Sequence, residues 1–193
     1  MKMFKPTRWG SIRVFQAPCA IFHRQEMFPN SNSSLKAPPA SIVSPNALAV
    51  LLVLYECAKS LKGKPKEPLA SVRIKQELLI ERTGYSKNII TRAVQELQDK
   101  RFIKFEAQRK KYGEFGVNKY FLCDSSTGEP FKTTPGVKLL YANHASYFNL
   151  PICLVQEPSE NWSLAKLGRS AVAVYVALSF LANKSGKNTI DVK

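Results

Sequence analysis

Four polar side chains with hydrogen-bonding ends recur along one short segment near the middle of the chain. They are Asn88, Thr91, Arg92 and Gln95. At 3.6 residues per turn they share one side of a helix, and four apolar residues share the other side. These apolar residues are Ile90, Ala93, Val94 and Leu97. Arginine can hydrogen-bond guanine, asparagine or glutamine can bond adenine, and threonine can bond either. The pattern predicts a helix that buries one face and offers base-reading side chains on the other.

A shorter helix and a tight turn are predicted to position this helix. The shorter helix spans Lys75 to Arg82, and the longer one runs from Ser86 to about Lys100. Gly84 lies where the first helix must stop, because glycine readily takes the left-handed conformation that many helix C-termini need. The Ser86 hydroxyl can accept a hydrogen bond from an unpaired N–H group in the first turn of the second helix.

A β-hairpin with a basic tip is predicted to follow. Phe102 to Phe105 and Val117 to Cys123 are rich in strand-forming residues. The tip supplies four candidates for contact with a phosphate backbone: Arg109, Lys110, Lys111 and Tyr112. The other predicted backbone contacts are Lys75, Ser86, Lys87 and Lys119. The outer, solvent-facing side of the long helix turns acidic later, at Glu96 and Asp99, so we expect only its N-terminal half to enter a DNA groove. A solvated turn is the alternative explanation of the basic tip.

Residues 44 to 124 resemble a winged-helix DNA-binding domain. Its order of elements is helix, short strand, helix, turn, recognition helix and two-stranded wing. The resemblance is carried by the run ERTGYSKNIITRAVQELQDKRFIKFE, with Thr83 and Gly84 at the turn and Leu97 and Ile103 as core anchors. It implies double-stranded DNA as the ligand and, in many members, a homodimer. Some winged helices bind RNA or protein instead, so the fold alone does not fix the function.

The charge of the chain favours an anionic partner. The 193 residues carry 29 lysines and arginines against 14 acidic residues, a formal net charge of +15. Such a surface attracts polyanions at long range, and its binding to them depends on salt. A membrane surface would also attract it, but no stretch approaches the roughly 20 continuous apolar residues of a spanning helix. The N-terminus has no secretory signal pattern, so we expect a cytoplasmic protein without a membrane partner.

The residues that most often bind metals or catalyse reactions are scattered. Cys19, Cys57, Cys123 and Cys153 have no paired spacing, which argues against a zinc site and a disulfide framework. Neither His23 nor His144 has a second ligand at metal spacing or an evident nucleophile beside it. No nucleotide-binding glycine loop is present. We therefore expect no cofactor, no metal and no enzymatic activity.

A strongly apolar helix is predicted before the helix pair. Ser44 and Pro45 form a favoured helix start, and the helix runs from Asn46 to about Ser60 with almost no polar face. Such a helix is either core or a dimer interface, and core is the preferred interpretation. Ala70 to Arg73 is a candidate short strand that pairs with the wing.

The last third of the chain repeats features of the first. Phe15-Gln16-Ala17-Pro18 is similar to Phe148-Asn149-Leu150-Pro151, and the apolar helix is similar to Ser170 to Lys184. Both halves look like one unit, an extended segment followed by an apolar helix. Chance similarity of apolar sequence is the alternative. If the repeat is real, the chain ends where a second helix-turn-helix should begin. Either the sequence is part of a longer protein or the second unit has been reduced to a docking element.

These observations predict an α+β, mainly helical protein: a winged helix-turn-helix with a C-terminal partial second unit. The expected segments are an N-terminal extended segment and linker (1–43), the winged-helix domain (44–124), and a linker with the partial second unit (125–193). This layout of tandem winged helices resembles that of the replication initiator proteins of plasmids and phages. The resemblance implies sequence-specific DNA binding in replication initiation. A transcription regulator is the alternative role, and a protein-interaction module is the alternative of another class.

Overall fold

The computed structural model describes residues 14–18, 43–59, 71–107, 117–125, 127–131, 147–151, 153–156 and 163–185. Within these ranges the chain is α+β and mainly helical, as predicted. The helices are α1 (Pro45–Lys59), α2 (Gln76–Thr83), α3 (Lys87–Asp99), α4 (Cys153–Gln156) and α5 (Arg169–Ser185). The strands are β1 (Val14–Pro18), β2 (Ser71–Ile74), β3 (Ile103–Glu106), β4 (Asn118–Leu122) and β5 (Tyr147–Pro151).

Helix α1 is the centre of the core. Pro45 occupies its first position, and the Ala47 N–H donates to the Ser44 hydroxyl oxygen at 3.3 Å, so the predicted start is confirmed. Every residue from Ala47 to Tyr55 is buried within the chain. Helices α2, α3 and α5 pack around it, together with β1 and β4. The core interpretation of this helix is therefore confirmed.

Helices α2 and α3 are joined by the predicted turn. Gly84 has a φ of 68°, and its N–H donates to the Ile80 carbonyl at 2.8 Å, which closes α2. Ser86 has extended backbone at the position before α3, but its side chain makes no capping hydrogen bond. The predicted hydroxyl cap was therefore wrong, although the helix begins where it was expected. The predicted apolar stripe is confirmed, and its buried residues are Ile90, Ala93, Val94 and Leu97.

Helix α3 ends in a left-handed residue that turns the chain into the sheet. Arg101 has a φ of 63°, an unusual value for a residue other than glycine. The Phe102 N–H donates to the Leu97 carbonyl at 2.8 Å, and the Arg101 N–H donates to the Gln98 carbonyl at 2.9 Å. This pair of bonds is the Schellman motif of helix C-termini. Because Leu97 and Phe102 are both buried, the motif directs the chain from α3 straight into the core-facing edge of β3.

Three antiparallel strands form a small sheet in the order β2–β4–β3. Strand β2 lies one residue later than the predicted strand and pairs with β4, with Val72 opposite Tyr120. Strand β3 pairs with β4 on its other edge, with Ile103 opposite Leu122. The predicted pairing of the short strand with the hairpin is thus confirmed. Residues 108–116, which include Arg109, Lys110, Lys111 and Tyr112, lie outside the described residues.

Strands β1 and β5 form a separate antiparallel pair whose register is symmetric. Gln16 lies opposite Asn149, Phe15 opposite Leu150, and Ala17 opposite Phe148. The two segments that are similar in sequence therefore pair with each other, and the pairing is symmetric about Gln16 and Asn149. Helix α1 packs on β1 and on α5, and α5 packs on β5, where the Phe148 and Phe180 rings meet edge to face at 5.7 Å.

Two left-handed glycines provide a matched test of the turn between α2 and α3. A Cβ on Gly84 would lie 3.0 Å from the backbone oxygen of Ala165, whereas one on Gly128 would meet only the flexible side chain of Arg101, at 3.3 Å. The left-handed conformation alone costs a non-glycine residue roughly 1–2 kcal/mol. We expect Gly128→Ala to lower the free energy of unfolding by that amount, and Gly84→Ala to lower it by at least about 1 kcal/mol more. Urea unfolding of the two variants measures the difference. Equal losses would show that the contact with Ala165 imposes no constraint.

Candidate nucleic-acid interface

The four predicted base-reading residues lie on the solvent side of α3. Asn88, Thr91, Arg92 and Gln95 are all exposed, and the apolar stripe on the opposite side of the helix is buried. Because apolar residues recur on one side of α3 and this side packs on α1, the polar residues on the opposite side remain in water. The structure thus brings these four side chains together on one surface.

Hydrogen bonds divide the four into two pairs. The Thr91 hydroxyl donates to the Lys87 carbonyl at 3.0 Å and accepts from the Gln76 amide at 3.4 Å. The Gln95 amide donates to the Asp99 carboxylate at 2.9 Å. Across the described residues, the side chains of Asn88 and Arg92 make no hydrogen bond. Asn88 and Arg92 are therefore available to a ligand as they stand, whereas Gln95 must first leave Asp99.

The beginning of α3 is the more electropositive end of this face. Lys75, Ser86 and Lys87 are exposed around it, and the first turn of α3 contains no acidic residue. Its unpaired N–H groups and the helix dipole favour an anion at this position. The outer face of α2 carries the exposed Glu77 and Glu81 instead, which would repel phosphate. The charges thus favour an anion at the start of α3 over one along α2.

Glu96 does not belong to the outer face, contrary to the prediction. Its carboxylate accepts hydrogen bonds from the Ser44 N–H at 2.6 Å and the Ser44 hydroxyl at 2.5 Å, and Lys100 lies 3.1 Å away. Burial raises the pKa of Glu96, but the bonds from Ser44 and Lys100 outweigh it and leave that pKa below its ordinary value. Glu96 therefore ties α3 to the start of α1 and fixes the direction in which the exposed face points.

A second carboxylate, Glu56, fixes α2. It is 2% exposed in the apolar helix α1, and its carboxylate lies 2.8 Å from the Arg82 guanidinium of α2. The Gln156 amide of α4 donates to its other oxygen. The sequence analysis did not select Glu56, although a lone carboxylate in so apolar a helix must find a partner when buried. Glu56 thereby connects α1, α2 and α4 through one charged group.

The segment before α5 supports the turn between α2 and α3. Ala165 lies against Gly84, and the Arg169 guanidinium lies 5.7 Å from the centre of the Tyr85 ring. Tyr85 is buried, and burial raises its pKa, against the opposing effect of Arg169. The C-terminal part of the chain therefore holds the turn from which α3 starts.

The outer face of the three-stranded sheet carries further basic residues. Lys119 of β4, one of the predicted backbone contacts, lies 4.5 Å over the Phe121 ring and opposite Arg73 of β2. Lys104 of β3 is exposed on the same face and lies 3.4 Å from Glu129. The sequence analysis selected neither Arg73 nor Lys104. The two-residue period of the strands was the signal that could have placed them beside Lys119.

Among the described residues, no three histidine, cysteine or acidic side chains form a group that could hold a metal ion. Burial raises the pKa of Cys57 to about 11, so this thiol is protonated near neutral pH and is a weak nucleophile. None of the described helices has the length and apolar content needed to cross a membrane.

Comparison of the chain with protein-family models, with curated proteins and with solved structures finds no match.

The anchor between Glu96 and Ser44 predicts a pH-dependent difference in stability. A carboxyl group with a lowered folded-state pKa stabilises the fold above its ordinary pKa of 4.5, and this contribution is lost as the pH falls through the lowered value. We expect Glu96→Gln to reduce the free energy of unfolding by about 1–2 kcal/mol near neutral pH, and by clearly less near pH ~3.

Urea unfolding at the two pH values measures this difference. Asp99→Asn is the matched control, because Asp99 is an exposed carboxylate on the same helix, and its change should stay within about 0.5 kcal/mol. A Glu96→Gln deficit that is independent of pH would contradict the anchor.

Proposed function

We propose that this protein binds double-stranded DNA in a sequence-specific manner through a winged helix, with α3 as the recognition helix. The order of α1, β2, α2, α3, β3 and β4 supports this proposal, since it is the order that the resemblance implied. The observation that carries it is the exposed face of α3, where Asn88, Thr91, Arg92 and Gln95 stand together opposite a buried stripe. Arginine and asparagine side chains on one such face match the hydrogen-bonding edges of guanine and adenine in the major groove.

Phosphate contacts would position α3 in the groove. The first-turn N–H groups of α3 donate no hydrogen bond to the Ser86 side chain, so they suit a phosphate oxygen. Lys75 and Lys87 are exposed beside them. The basic residues 109–111 of the predicted wing, with Lys119 at its base, would extend the contact along the backbone. The net charge of +15 adds a salt-dependent attraction that is independent of sequence.

Replication initiation is the biological role that we propose. The support is the tandem layout: β1 and β5 carry the repeated segments and pair symmetrically, and the apolar helices α1 and α5 pack together. Two related units in one chain suit binding to repeated sites at an origin. A transcription regulator would use the same α3 face, and an origin-type repeat among the selected sites would distinguish the two roles.

Selection of binding sites from random duplexes, followed by affinity measurements across salt concentrations, tests the proposal directly. We expect a defined consensus sequence and a preference for it that persists at physiological salt. Weak binding without sequence preference would instead favour a protein-interaction module in which the basic charge is incidental.

Arg92 provides the sharpest test of base reading. We expect Arg92→Ala to weaken binding to the selected site by about 1–3 kcal/mol and to relax the preference at one base pair, because an exposed arginine reads guanine through two hydrogen bonds. Lys166→Ala is the control, since it removes an exposed charge of the same sign from a segment outside α3. Competition binding with single-base variants of the site measures both effects. If the two variants lost the same affinity and kept the same preference, α3 would not read the bases.

Lys87 tests the phosphate contact at the start of α3. We expect Lys87→Ala to weaken binding to all duplexes by a similar factor and to flatten the slope of log affinity against log salt by about one unit. The exposed Lys166 is a control of equal charge, and Lys166→Ala should leave the slope nearly unchanged. Titrations at several salt concentrations measure the slopes. An unchanged slope in Lys87→Ala would remove the start of α3 from the interface.

A further inference from the structure

Helix α5 leaves an apolar groove open to solvent. The groove has a volume of about 450 Å³, and apolar residues of α5, α4 and the segment before α5 line it. The main ones are Leu154, Leu167, Ala171, Val174, Tyr175 and Leu178. Val174 is 57% exposed. Of the large apolar side chains that the structure describes, the three exposed ones, Val174, Tyr175 and Leu178, all lie in this groove. An exposed apolar patch of this kind is typical of an interaction site.

The predicted internal repeat assigns an equivalent surface in the first unit. With Ala47 aligned to Ala171, the residues of α1 that correspond to the α5 stripe are Ala47, Val50, Leu51 and Leu54. All four are fully buried, and α2 and α3 pack on α1. Among the described residues, α5 packs mainly on β5 and on α1, and no helix takes the place of α3 beside it. The groove is therefore the exposed counterpart of a surface that is buried in α1, the helix on which α3 packs.

The charges around the groove define the partner further. Lys166 and Arg169 are exposed at the start of α5, and residues 163–185 contain no acidic residue; Glu157 and Glu160 precede this range and lie outside the described residues. In the first unit the cover helix places a carboxylate, Glu96, at the start of α1. A helix with an apolar stripe would thus complement the apolar lining of the groove, and carboxylates at one edge of that helix would complement its basic residues.

We propose that the α5 groove binds an acidic amphipathic helix of a partner protein. The apolar stripe of that helix, spaced i, i+3, i+4 and i+7, enters the groove between Val174 and Leu178. Its carboxylates face Lys166 and Arg169. This interaction uses α5 and not the exposed face of α3.

A labelled peptide tests the proposal on the full chain. The probe is a helix-stapled peptide with the sequence of residues 86–100, in which Lys87→Glu and Arg92→Glu make the polar side acidic. We expect saturable binding by fluorescence anisotropy. We expect Val174→Asp and Leu178→Asp in the protein each to weaken it by at least about tenfold, since each places a charge in the groove. Both positions are exposed, so thermal melting should show little change in either variant.

Two controls separate groove binding from other effects. A peptide that also carries Leu97→Ser should lose at least about tenfold in affinity, because its stripe is interrupted. Glu106→Lys in the protein changes an exposed charge on β3, whose main contacts are with β4 and α3, and should leave peptide binding unchanged. Absence of saturable binding, or binding that the groove substitutions do not weaken, would overturn the proposal. So would a dimer in sedimentation that Val174→Asp converts to monomer, because the occupant would then be a second copy of the chain.

Discussion

The fold depends on the need to surround helix α1. From Ala47 to Tyr55 this helix has no polar side, and an apolar helix is stable in water only when other elements cover it on every side. Each fully buried leucine contributes on the order of 1.5–3 kcal/mol. The elements that supply the cover come from both ends of the sequence: β1 precedes α1, and α2, α3 and α5 follow it. Segments that are distant in sequence are thus brought together because they all pack on the apolar surface of α1.

Apolar burial is non-directional, so it does not fix how α2 and α3 are oriented on α1. Hydrogen bonds to two carboxylates fix that orientation. Glu56 binds Arg82 and Gln156 from inside α1, and Glu96 accepts hydrogen bonds from the N–H and hydroxyl groups of Ser44 at the start of α1. A hydrogen bond to a charged group contributes about 1.5–3 kcal/mol, less than the burial of the whole helix but enough to choose among its packing angles. These bonds hold α2 and α3 in one orientation. The exposed face of α3 consequently points away from the core with its four polar side chains fixed in place.

The two proposed interfaces differ in polarity and charge. The face of α3 is polar and its surroundings are basic, so it suits a nucleic acid that offers both phosphates and hydrogen-bonding base edges. The groove on α5 is apolar, so it suits a surface that also loses water on binding. The segment between them, at Ala165 and Arg169, contacts the turn at Gly84 and Tyr85. A partner on α5 would therefore lie close to the residues that support the start of α3.

Local sequence determined much of this protein. The helical period fixed which side of α3 is buried, Gly84 fixed the end of α2, and the Ser44-Pro45 pair fixed the start of α1, because each depends on neighbours within one or two turns. Tertiary structure decided the rest. Glu96 was predicted to face solvent, since its position on the helix says nothing of Ser44, which is 52 residues away in sequence but within hydrogen-bonding distance in space. Likewise, the similarity of the two Phe-x-x-Pro segments indicated a repeat, but only long-range packing could pair one copy with the other.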